Sequence, residues 1–78
     1  MRTKTPCFVV TFFTTAEAMA TEKLCKALSL PGRLFPAPRS FSADCGIAWR
    51  APAEQSGALL TALREAGIEY ADCGEMML

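Results

Sequence analysis

Two kinds of apolar pattern alternate along this chain, dense short runs and stripes spaced at helical intervals, and their order predicts the fold. Cys7–Phe13 (CFVVTFF) is apolar at both odd and even positions, which describes a strand covered on both faces. Thr14 followed three residues later by Glu17 has capping-box spacing and predicts a helix start. From there Ala16, Met19, Ala20, Leu24, Ala27 and Leu28 recur at helical spacing, with Glu17, Glu22, Lys23 and Lys26 on the wetter side. Pro31-Gly32 stops that helix near Ser29. Arg33-Leu34-Phe35 reads as a short edge strand ending at Pro36. A proline-stiffened loop runs to Asp44, and Cys45–Arg50 forms the third strand. Pro52 suits the first turn of a second helix, whose stripe is Leu59, Leu60, Leu63 and Ala66 and whose cap is Gly67. Ile68–Cys73 is the last predicted strand, and Gly74 opens a short tail.

The order β-α-β-β-α-β with short connections predicts one α+β domain over residues 1–78: a ferredoxin-like, four-stranded antiparallel sheet with two helices on one face. Right-handed crossovers place the first and third strands in the middle and the fourth beside the first. This reading starts the first and third strands at one end of the sheet, so Cys7, Cys45 and Cys73 are expected on a common rim, with Cys25 approaching it from the first helix. Two helices leave the other face bare. Cys7, Val9, Thr11 and Phe13 would line it, an apolar surface of the sort that marks association, so a homo-oligomer through the open sheet face is expected.

Composition narrows the chemistry. At 51% hydrophobic and 21% charged, the 78 residues describe a packed domain, although one this short buries only ~60% of its unfolded surface. Eight basic residues balance eight acidic ones and are scattered, which gives no nucleic-acid footprint; Trp49 and Tyr70 are not arrayed with cations as a base-stacking platform requires. Histidine is absent, so Cys–His and Ser–His catalysis cannot be built within the chain. Arg2 and Lys4 imitate a charged leader, but the run that follows is short and leads into a charged helix instead of a small-residue cleavage site. No apolar run approaches the ~20 residues that span a membrane. These features point to the cytoplasm, where the four cysteines would be reduced.

The densest chemistry lies in Pro36-Ala37-Pro38-Arg39-Ser40-Phe41-Ser42-Ala43-Asp44-Cys45-Gly46, a stiff loop that delivers a thiol to a strand. Arg39 is the loop's one cation and the natural partner of an anionic sulfur, while Asp44 acts in the opposite direction. Ser40 and Ser42 offer hydrogen bonds, and Gly46 clears a side chain from beside the thiol. With the preceding Thr-Phe strand, the Thr/Ala/Glu helix start and Leu30-Pro31-Gly32-Arg33-Leu34, the pattern Pro-x-Pro-Arg-x-x-Ser-x-x-Cys-Gly resembles the selenium/sulfur carrier-like family over about Cys7 to Cys73. The resemblance implies a small bacterial protein, often of anaerobes, that carries sulfur or selenium on a cysteine and exchanges it with donor and acceptor proteins. Arg39, Ser42, Cys45 and Gly46 match its motif; Cys7, Cys25 and Cys73 do not.

Other readings stay open beside this one. Free cysteines often act as small buried hydrophobes, and Arg39 with Asp44 makes an ordinary surface ion pair. A ligand- or protein-binding regulatory module of the same fold would leave Cys45 dispensable. The expected rim of Cys7, Cys45 and Cys73 offers thiolates to zinc or copper(I), but the first strand's loop lacks the Cys-x-x-Cys of ferredoxin-like metallochaperones, so neither metal nor cofactor is assigned. The expected role is carriage by Cys45, with Arg39, Ser42 and Gly46 assisting, and not turnover of a bound substrate.

Overall fold

The computed structural model of the chain describes residues 5–39, 41 and 46–77. Its elements are β1 (Pro6–Thr11), α1 (Thr15–Ala27), β2 (Arg33–Pro36), β3 (Ile47–Pro52), a 3₁₀ turn (Ala53–Gln55), α2 (Ser56–Ala66) and β4 (Asp72–Met77). The sheet order is β2-β3-β1-β4, and every neighbouring pair is antiparallel. This is the ferredoxin-like α+β arrangement, with β1 and β3 in the centre.

Local chemistry explains the helix ends. The Thr14 hydroxyl accepts the Glu17 N–H at 3.3 Å, while the Thr14 N–H donates to Glu17 Oε1 at 3.1 Å, a complete capping box. At the end of α2, left-handed Gly67 (φ 73°) lets its N–H reach the Arg64 carbonyl and the Ile68 N–H reach that of Leu63.

One face of the sheet meets the helices. Phe8, Val10, Trp49 and Ala51 pack there with Phe12, Ala18, Cys25, Leu59 and Leu63, and Leu34, Ile47 and Cys73 extend the cluster. The stripe expected on α1 is displaced. Its buried residues are Ala18, Thr21 and Cys25, whereas Met19 and Leu28 are about half exposed at 51% and 53%. Small side chains let the helix sit close to the sheet. The buried Thr21 hydroxyl is satisfied by donating to the Glu17 carbonyl at 2.9 Å, which removes the cost of its polarity.

Three boundaries also move. Pro52 closes β3 in an extended conformation (ψ 140°), and the 3₁₀ turn separates it from α2, so it does not open that helix. β3 begins at Ile47, two residues after the expected start. β4 begins at Asp72, because Ile68 closes the end of α2 and packs against the core; the expected tail is itself the edge strand.

The register overturns the expected cysteine rim. Because β1 and β3 are antiparallel, they begin at opposite ends of the sheet. Cys7 stands opposite Pro52 and Met76, whereas Cys73 stands opposite Val10 and joins the helix-side core. Cys45 lies outside the described residues.

The second face is not bare. Val9, Thr11 and Ala48 are fully buried within the single chain. A Cβ built on Gly74, which pairs with Val9, would lie 3.4 Å from the Phe41 ring. The ring of Phe41 therefore lies against β4 on this face. Of the row expected to be open, Cys7, Val9 and Thr11 are buried within one chain, and Phe13 is exposed.

Candidate functional site

The β2–β3 connection leaves the sheet with the Ala37 N–H donating to the Gly46 carbonyl at 3.0 Å, and it turns where the Phe41 N–H meets the Pro38 carbonyl at 3.1 Å. Of the four residues expected to form the site, Arg39 is exposed, and Gly46 is exposed with φ 76°. A Cβ added to Gly46 would meet nothing within 4 Å, so its requirement for glycine is one of backbone conformation, not space. Ser42 and Cys45 lie outside the described residues. Gly46 enters β3 at the end of the sheet where Ala48 faces Thr11. Phe13 and Tyr70 are exposed at that same end, since the Ala71 N–H donates to the Thr11 carbonyl at 2.7 Å.

The three described cysteines are free thiols in different surroundings. Cys25 is fully enclosed between α1 and the sheet, and burial pushes its thiol pKa up. It stays protonated at neutral pH and serves as packing. The sign of the linkage is definite. The folded state holds this proton more tightly, so the resulting stability is complete below the unfolded thiol's pKa of ~8.5 and is lost as pH rises through the folded value. In native protein at neutral pH Cys25 should resist iodoacetamide and become labelled only on unfolding. The fall of stability above pH ~8.5 should flatten in Cys25→Ala.

Cys7 differs. It lines a cavity of about 750 Å³ at the Pro52 end of the sheet, together with Gly32, Arg33, Arg50 and Glu54. Its Sγ donates to the Thr5 carbonyl at 3.6 Å and accepts from Arg50 Nη2 at 3.7 Å. The Arg50 guanidinium also lies over the Phe35 ring, 5.7 Å from its centre. Sequence reasoning did not connect Cys7 with Arg50. The signal was strand parity: Cys7 and Val9 share a face, and Arg50 pairs with Val9, but only the antiparallel register reveals it. Among the described residues no cluster of three or more cysteine or acidic side chains could hold a metal ion, and no helix is long and apolar enough to cross a membrane.

The sequence profile of the family described as "Putative Se/S carrier protein-like" matches residues 7–74. The chain belongs to this family. The matched span runs from the thiol of β1, through the whole proline-rich loop, to the glycine of β4 beneath Phe41. No curated protein and no solved structure matches the chain. Membership of the Se/S carrier-like family directs attention to the cysteines, and the surroundings of Cys25 and Cys73 within the core mark those two as packing residues.

Proposed function

We propose that the protein carries sulfur or selenium as a persulfide-type adduct on Cys45. The family match across residues 7–74, which contains the whole loop, is the observation that carries this reading. Three features support it. Exposed Arg39 supplies a cation in the same loop. Left-handed Gly46 gives the chain a sharp, side-chain-free entry into β3. Exposed Phe13 and Tyr70 offer apolar contact to a partner protein at that end of the sheet.

In the loading step the Cys45 thiolate attacks the outer sulfur of a donor persulfide. The new Cys45 S–S bond forms as the donor's S–S bond breaks, and the donor leaves as a thiol after taking up a proton. An acceptor thiolate then removes the outer sulfur in the same way, and no net oxidation occurs. Arg39 would stabilise the terminal anion, with Ser42 assisting. The expected result is a mass gain of one sulfur atom on Cys45 after incubation with a cysteine desulfurase and cysteine, lost in Cys45→Ser. Loading that peptide mapping finds elsewhere while Cys45 stays unmodified would sink this reading. Mass spectrometry of protein from its native host distinguishes sulfur from selenium by the mass gained.

A further inference from the structure

The cavity at the Pro52 end is not used by this cycle, and its charges are unusual. Arg33 and Arg50 are direct cross-strand partners, and both line the cavity. Like charges facing each other across antiparallel strands destabilise a sheet. No ion pair to either guanidinium is found among the described residues, although Glu54 lines the same cavity. Two arginines paired across the strands and lining open space suit an anion, above all a carboxylate, which arginine grips through paired N–H donors. The Phe35 ring and the Cys7 sulfur already hold Arg50 in place, so little order is lost when an anion enters. The wall of this anion site carries a nucleophile, Cys7, which is 6% exposed and reached from the cavity.

We propose that this cavity binds a carboxylate-bearing low-molecular-weight persulfide and that Cys7 takes its outer sulfur. Arg33 and Arg50 hold the carboxylate. The Cys7 thiolate attacks the terminal sulfur, a Cys7 S–S bond forms, the donor's S–S bond breaks, and the donor thiolate leaves with the electron pair and is protonated. One thiol and one persulfide are consumed and one of each is produced. The proposal rests on the carrier reading only for sulfur as the cargo, and Cys45 takes no part. β3, six residues long, separates Cys7 from the loop's entry at Gly46 by about 20 Å.

The test uses the full-length Cys45→Ser chain and glutathione persulfide, a thiol compound with two carboxylates, followed by peptide mapping. The expected result is a gain of one sulfur atom on Cys7. Adding Arg50→Gln should slow that loading about tenfold, the effect of losing one charge-assisted contact. S-methylglutathione, which has the carboxylates but no sulfur to give, should inhibit the loading saturably, and this arm leaves Arg50 unchanged. No gain at Cys7, or a gain that neither Arg50→Gln nor S-methylglutathione slows, overturns the proposal. The two readings fail separately. A Cys7→Ser chain that loads at Cys45 while Cys45→Ser fails at Cys7 removes this site alone; the reverse removes Cys45 and leaves this site standing.

Discussion

Gly32→Ala is expected to destabilise the fold severely. A Cβ at this position would sit 2.6 Å from Trp49 Nε1, 2.7 Å from Trp49 Cε2 and 2.7 Å from the Arg50 carbonyl oxygen. None of these atoms can give way easily. Trp49 is the largest fully buried side chain, and the Arg50 carbonyl belongs to a central strand. The backbone adds a second cost, because φ at Gly32 is 150°, a conformation that side-chain-bearing residues rarely adopt. Overpacking and backbone strain together should cost about 3 kcal/mol or more. A domain of this length has roughly 4–12 kcal/mol in total, so a quarter of its stability or more is at stake. Urea unfolding followed by fluorescence of the single tryptophan measures the loss. A Gly32→Ala chain with the parent midpoint would show that the close approach is absent. Combining it with Trp49→Phe, whose unfolding is followed by circular dichroism because no tryptophan is left, should recover part of the loss, since the smaller ring relieves two of the three contacts. Trp49→Phe is itself cheaper than usual for a buried tryptophan, because Nε1 has no hydrogen-bond partner among the described residues and its removal strands nothing.

The reason for glycine in Pro31-Gly32 shows where local reading stops. The pair is legible as a helix stop, and so are the Thr14–Glu17 box and the Gly67 cap, because each rests on residues within one turn of each other. That was sufficient to order the elements and name the fold. Facts that depend on a distant partner were not legible. That Gly32 makes room for Trp49 requires the β2–β3 register. That α1 buries Ala18, Thr21 and Cys25 in place of its larger hydrophobics requires knowing how closely the helix approaches the sheet. The start of β4 moved because Ile68 has two local uses, strand former and helix-end closer, and the second won. Within the site, the loop's composition singled out Arg39 and Gly46 without any structure. The Cys7–Arg50 pair has no motif, and only the antiparallel pairing of β1 with β3 brings it together.

Removing the Phe41 ring is expected to destabilise the fold and make it self-associate. Only this described side chain from the β2–β3 connection is seen against Gly74, above a sheet face whose central residues Val9, Thr11 and Ala48 are fully buried. Phe41 is itself half-buried, so Phe41→Ala should cost about 2 kcal/mol, less than a core phenylalanine. The larger consequence lies in what it uncovers. An apolar strip across β1 and β3 would meet water, and such strips bury themselves against a second copy. Sedimentation at rising concentration should detect dimers or higher species of Phe41→Ala at concentrations where the parent chain is less associated. Equal association of the two would mean that the ring does not cover this face. Gly74 supplies an independent check. An alanine Cβ there only touches the ring at 3.4 Å, but the branches of valine would overlap it. Gly74→Val should therefore destabilise the parent chain by about 1–2 kcal/mol by pushing Phe41 away. In the Phe41→Ala background the same substitution should be neutral or stabilising, because it fills the vacated space with a strand-favouring side chain. That reversal of sign is a coupling between two residues 33 positions apart in sequence, and it arises only if the Phe41 ring lies against β4. Since Phe41 belongs to the same loop as Arg39 and Cys45, Gly74→Val should change the rate of sulfur loading at Cys45 while leaving Cys25 protected from alkylation.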